Sequence, residues 1–98
     1  MAEIIWTYES EIWLNDIYTY IAEDDPDAAA RIINNIYEKV QLLLNHPRLG
    51  YRYEPAEPRE VRILLYDHYR ITYLIKDNGN IDILGVFHGA LEIDRYLL

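Results

Sequence analysis

The sequence predicts an α+β fold: a short N-terminal strand, an antiparallel helical hairpin, then a three-stranded antiparallel sheet with a short C-terminal tail. Three observations predict it. Apolar residues of the first half recur at three- and four-residue spacing, whereas the second half holds runs of β-branched, aromatic and aliphatic residues. Asn78-Gly79 lies between two of those runs, the signature of a two-residue type I′ hairpin in which both central residues take positive φ. A chain of 98 residues has material for one domain, residues 1–98, with one sheet and a pair of helices.

The elements follow in order. Glu3 to Trp6 read as a strand, after which Thr7 offers a hydroxyl N-cap, with Glu9 and Glu11 favouring the positive end of the helix dipole. The first helix extends to about Glu23 and directs Trp13, Leu14, Ile17, Tyr20 and Ile21 inward. Asp25 caps the second helix and Pro26 suits its first position, where no N–H is needed. That helix reaches about Asn45 on a stripe of Ala29, Ile32, Ile33, Ile36, Tyr37, Val40, Leu43 and Leu44. His46-Pro47 ends it, because the residue before proline is pushed out of the α region. From there to about Arg59 a long ordered loop is expected, carrying Tyr51, Arg52 and Tyr53. EVRILLY (Glu60 to Tyr66), YRITYLIK (Tyr69 to Lys76) and IDILGVFH (Ile81 to His88) then read as consecutive strands.

A two-residue loop at Asn78-Gly79 would pair Lys76 with Ile81, Arg70 with Phe87 and Tyr69 with His88. One face of this hairpin would then carry Arg70, Thr72, Leu74, Ile81, Ile83, Gly85 and Phe87. The other would carry Tyr69, Ile71, Tyr73, Leu84, Val86 and His88. Both faces are apolar, so the helices cover one and something else covers part of the other.

Composition excludes several classes. Hydrophobic residues are 51% and charged ones 27%, with four Gly and four Pro, which excludes a disordered or low-complexity chain. No apolar run is long enough for a membrane helix, and the absence of cysteine makes a cytoplasmic protein the simplest reading. A net charge of −8 opposes strong direct nucleic-acid binding. Lys39 and Lys76 are the only lysines; most arginines follow Arg48, so a local basic patch around the sheet remains open. The ten tyrosines suit a half-buried sheet or an interface equally.

The polar candidates are Arg70, set within a strand, and His88, at the end of its partner. Each reads either as part of a binding surface or as a satisfied polar group. His46 suits a helix end and His68 a turn; Asp82, between Ile81 and Ile83, is expected to face solvent. The acidic run Glu23 to Asp27 reads as a solvated helix junction. No His/Asp/Glu spacing suggests a metal site, no Ser-His-Asp set stands out, and no Gly-rich phosphate loop is present, so no cofactor is expected.

Trp6, YIAEDDPDAAARIINNI, LLLNHPRLG, VRILLYDHYRITYLI and ILGVFHGALEI follow one another in an order that resembles the ParE/RelE superfamily of toxins from type II toxin–antitoxin modules, and its ParE branch specifically. The resemblance covers essentially the whole chain. It implies a growth-arresting toxin that inhibits DNA gyrase and is neutralised in a hetero-oligomer by a ParD-like antitoxin. It implies antitoxin contacts at Arg31, Arg48, Arg52 and Arg62, and target contacts at Arg70, His88, Arg95 and Tyr96. The ribonuclease branch resembling RelE is the alternative, an mRNA endonuclease with Arg70, His88 and Tyr96 in its site. The basic residue which that branch carries after its last strand is missing, because the chain there reads Gly89-Ala90-Leu91-Glu92. A degenerate toxin that retains only antitoxin binding is a third possibility.

Overall fold

The computed structural model describes residues 2–89. The elements in chain order are β1 (Ile4–Trp6), α1 (Tyr8–Ala22), α2 (Pro26–Gln41), β2 (Tyr51–Arg52), β3 (Glu60–Tyr66), β4 (Tyr69–Ile75) and β5 (Ile81–His88). Short 3₁₀ turns follow α2 at Leu42–Leu44 and β2 at Glu54–Ala56. The three expected strands form the centre of a five-stranded sheet ordered β1-β5-β4-β3-β2. β1 closes one edge parallel to β5, and β2, which lies within the expected loop, closes the other antiparallel to β3.

Local chemistry sets the helix starts as the sequence predicts. The Thr7 side chain accepts from the Ser10 N–H at 3.2 Å and donates to the Ile83 carbonyl at 2.6 Å. One hydroxyl therefore caps α1 and fastens it to β5. Asp25 caps α2 through the Ala28 N–H at 3.1 Å. Helical hydrogen bonding gives way to a 3₁₀ turn at Leu42, short of the expected end near Asn45.

The hairpin between β4 and β5 departs from the expected turn. Of its two expected left-handed residues only Gly79 has positive φ, at 88°. The Gly79 N–H donates to the Lys76 carbonyl at 2.8 Å, and the Lys76 N–H to the Asn80 carbonyl, also at 2.8 Å. This is the three-residue loop in which a turn is followed by a left-handed glycine. The Asn78 side chain supports it by accepting from the Asn80 N–H at 2.9 Å, an Asx turn that competes with the two-residue form.

The ladder therefore begins one residue out of the predicted register, with Ile75 opposite Ile81 and Tyr73 opposite Ile83. A bulge at Leu84 then restores it, so that Thr72 faces Gly85, Arg70 faces Phe87 and Tyr69 faces His88 as predicted. The bulge reverses the parity of the first half of β5. Ile81 and Ile83 consequently join Ile71, Tyr73 and Val86 beneath the helices, where they meet Leu14, Ile36, Val40 and Leu43. The opposite face is covered in part by the chain itself, as Tyr53 and Ala56 pack with Val61, Ile63 and Phe87. Asp82, on that face, forms an ion pair with Lys76 at 3.1 Å and is only 21% exposed, which corrects the solvent-facing expectation.

Three residues of the predicted stripes are exposed. Tyr20 is 79% exposed, Leu44 is 42% exposed and Tyr37 is 40% exposed. Trp6 stacks at a tilt on Tyr37 with ring centres 4.7 Å apart, and Trp13 meets Phe87 edge-on at 4.7 Å. β1 pairs only the first residues of β5, Ile81 to Ile83, and Trp13 packs against the cluster that holds Phe87.

Thr7→Ala removes both the cap and the bond to Ile83. We expect it to lower unfolding free energy in urea by about 1–2 kcal/mol. The exposed cap variant Asp25→Ala should cost about 1 kcal/mol or less. Equal losses would mean that the contact with Ile83 adds nothing.

Candidate functional site

The sheet brings the first pair of candidates to one end but not to one face. Arg70 is opposite Phe87 and His88 is opposite Tyr69 in the next pair of the ladder. Neighbouring strand positions point to opposite faces, so the guanidinium and the imidazole are separated by the sheet. His88 lies on the helix-bearing face. Its ring is 6.0 Å from Tyr69, edge-on, and 6.4 Å from His68 in the β3–β4 turn. The ring of His88 also borders a cleft of about 250 Å³ between α1 and the sheet, floored by Ile17, Tyr69 and Val86 and rimmed by Asp16 and Tyr20. Burial raises the pKa of the Tyr69 hydroxyl and the nearby Asp67 carboxylate raises it further, so the group stays protonated at neutral pH.

Arg70 on the other face is half-buried beside Leu65, its partner on β3, and its Nη2 donates to the Gly89 carbonyl at 3.3 Å. Phosphodiester cleavage would need a cation and an acid or base converging on one phosphate within hydrogen-bond reach. Arg70 and His88 do not converge. Arg95 and Tyr96 lie outside the described residues.

The second group of candidates gathers at the opposite end of the sheet. Tyr73 on β4, fully buried, donates its hydroxyl to the Pro47 carbonyl at 2.7 Å and accepts from the Gly50 N–H at 2.9 Å. Arg62 on β3 donates to the Gly50 carbonyl at 2.8 Å. The loop His46 to Gly50 is thus tied to the sheet through buried polar groups. Gly50 has to be glycine there, since a Cβ would lie 2.7 Å from the Ile63 carbonyl oxygen. Glu60 accepts from Arg62 Nε at 2.9 Å and pairs with Arg48 Nε at 3.0 Å. Partial burial acts to raise the Glu60 pKa, but the hydrogen bonds from Arg62 and Arg48 outweigh it and hold the carboxyl below its usual range.

The predicted antitoxin contacts thus divide. Arg62 is only 15% exposed at its side chain and serves the loop, whereas Arg48 at 65% and Arg52 at 41% stay open to solvent while paired with Glu60 and Glu57. Arg31 is exposed on α2, away from this cluster, and forms no ion pair among the described residues. Sequence reasoning missed Arg59 and Lys76, which the fold sets beside Arg48 and Arg52. The concentration of arginines after Arg48 was the available signal.

Comparison with known proteins decides the family. Residues 4–92 match the model of the ParE toxin of the parDE type II toxin–antitoxin system. The chain belongs to the ParE toxin family. A curated relative from Sinorhizobium fredii (strain NBRC 101917 / NGR234), named "Putative toxin Y4kP", is 36% identical over 94 residues, spanning 96% of this chain and 95% of that protein. A solved structure of a chromosomal ParDE toxin–antitoxin system from P. aeruginosa superimposes with a TM-score of 0.73 at 25% identity, covering 90% of this chain and 96% of the solved one. Within this ParE toxin, the HPRLG segment is the loop held by Tyr73 and Arg62, and YRITY supplies both Arg70 and Tyr73.

Tyr73→Phe leaves the Gly50 N–H and the Pro47 carbonyl without their buried partner, and an unfolding free energy lower by about 1–3 kcal/mol is expected in urea denaturation. For Glu60 the folded pKa is depressed, so its contribution is present above the ordinary glutamate range and fades as pH falls through the folded value. Glu60→Gln should therefore be less stable than the parent at about pH 7, with the gap narrowing as pH falls below the ordinary glutamate range. A gap of constant size would show that the arginine pairs do not stabilise the charged form.

Proposed function

We propose that this ParE toxin binds and inhibits DNA gyrase, acting in the cytoplasm as one domain of residues 1–98 and held inactive by a ParD-like antitoxin. The observation that carries the choice of a binding toxin over a ribonuclease is the separation of Arg70 and His88 by the sheet. Family membership supports a toxin neutralised by a protein partner, and the solved relative is described as a ParDE system.

An antitoxin needs apolar contact area and charge pairing on one accessible surface. α1 offers Tyr8 at 75% exposure, Ile12 at 44% and Tyr20 at 79%, while Arg31, Arg48 and Arg52 offer cations. In this reading the target is met by Arg70, by His88 and by the segment that follows it, including Arg95 and Tyr96. Arg62 contributes indirectly, by shaping the loop that carries Arg48.

Supercoiling by purified gyrase, with and without the toxin, is the test. Inhibition at about micromolar toxin, weakened at least tenfold by Arg70→Ala or by truncation after His88, is expected. Unimpaired supercoiling together with cleavage of ribosome-bound mRNA would replace this reading with the ribonuclease one. Unimpaired supercoiling with intact mRNA would leave a toxin that keeps only its antitoxin contact.

A further inference from the structure

β5 ends at His88, and Gly89 joins it to the segment Ala90 to Leu98. Both polar groups of the Gly89 backbone are engaged. Its N–H donates to the His68 carbonyl at 2.7 Å, and its carbonyl accepts from Arg70 Nη2 at 3.3 Å. The space for a side chain is closed as well, since a Cβ on Gly89 would lie 3.2 Å from the His68 carbonyl oxygen, tighter than ordinary van der Waals contact. The residue through which the chain leaves the sheet is therefore seated between the β3–β4 turn and Arg70.

The sequence builds both halves of this seat. Tyr66 pairs with Tyr69, which leaves Asp67-His68 as a two-residue loop, and Asp67 takes the left-handed conformation with φ at 52°. Aspartate is one of the few residues besides glycine that enters this region readily. The tight turn sets the His68 carbonyl beside the end of β5. Arg70 completes the seat from the reverse face. It stands opposite Phe87, and Gly89 lies two residues further along the same face, the diagonal position that a long side chain can span. The Nε of Arg70 is itself buried, so the side chain lies along the sheet with its tip at the Gly89 carbonyl.

We infer that Arg70 is a positioning residue, which together with the Asp67-His68 turn fixes the direction in which the chain leaves β5 and so presents the following segment to the target. A bond from a charged donor to a carbonyl is stronger than a neutral one, which suits an arginine to this task. Any change of direction at Gly89 is multiplied along the residues beyond it. A root held in advance lowers the ordering cost of binding. The inference deepens the toxin reading by giving Arg70 a role within it, and rests on that reading in one respect, that the segment after β5 meets the target. The hold on Gly89 does not depend on it.

Two measurements test the role. The first is backbone amide exchange in the free, ¹⁵N-labelled toxin. In Arg70→Ala the Gly89 amide should exchange at least about tenfold faster, while the amides of Ile71 and Val86 stay within about twofold of the parent and show that the sheet is intact. Arg70→Lys, which keeps a charged donor of similar reach, should retain most of the protection. An unchanged Gly89 rate in Arg70→Ala would overturn the seat. The second is a double-mutant cycle on gyrase supercoiling with Arg70→Ala, Gly89→Ala and both together. Gly89→Ala crowds the His68 carbonyl but leaves the Arg70 charge in place, so it should weaken inhibition about fivefold or more, and the double variant should be no worse than the weaker of the two single variants. Losses that multiply in the double variant, or full inhibition by Gly89→Ala, would overturn positioning in favour of direct contact between Arg70 and the target. A parent chain that leaves supercoiling unimpaired would overturn the proposed target instead, and the exchange rates would still decide the seat.

Discussion

The ladder between β4 and β5 decides which side chains of this protein can meet. Its three-residue turn starts the pairing one step out of phase with its far end, and the single extra residue at Leu84 absorbs the difference. Without the bulge, Ile81 and Ile83 would face away from the helices and Val86 would face toward them, splitting the core between two surfaces. With it, the two isoleucines, Val86, Ile71 and Tyr73 form one apolar face for Leu14, Ile36 and Val40. The same parity places His88 with the helices and Arg70 on the reverse of the sheet. A packing constraint thus limits the chemistry: the strand arginine and the terminal histidine are held apart by the ladder that makes the fold stable.

Polar groups do the corresponding work at the other end of the sheet. Tyr73 is buried but satisfied on both sides of its hydroxyl, and Arg62 and Glu60 extend that network to the surface at Arg48. The buried Tyr73 hydroxyl, the Gly50 N–H and the Pro47 carbonyl partner one another, as the cost of leaving one unsatisfied requires. The network fixes a proline-containing loop that has little regular structure of its own. A chain rich in carboxylates thereby holds its arginines here in ion pairs, with Arg48 on Glu60 and Arg52 on Glu57.

Much of the framework was legible from local chemistry. Thr7, Asp25 and Pro26 marked the helix starts, and the alternation in residues 60–88 marked three strands. The pairing of Arg70 with Phe87 and of Tyr69 with His88 was also read correctly. The turn was not, because Asn78 can serve either as a left-handed turn residue or as an Asx acceptor, and only the competition with Asn80 decides. Nor could the partners of the edge strands be read, since three residues at Ile4–Trp6 and two at Tyr51–Arg52 carry no signal naming the strand each joins. Of the candidate residues, Arg70 and His88 were found as a pair but their separation followed only from register. Arg59 and Lys76 escaped because the surface they share with Arg48 and Arg52 is assembled from segments that sequence spacing does not bring together.

The ParE family, the separated Arg70 and His88, and the exposed apolar and cationic surfaces make a consistent account of a toxin that works by holding another protein. Its central claim is that the cellular target is gyrase and that no RNA is cut. Producing the chain alone in a bacterium, while following cell shape, the DNA-damage response and translation together, tests that claim most directly. The account predicts filamentous cells with an induced damage response while translation continues at first. Rapid loss of translation without DNA damage, or undisturbed growth, would contradict it.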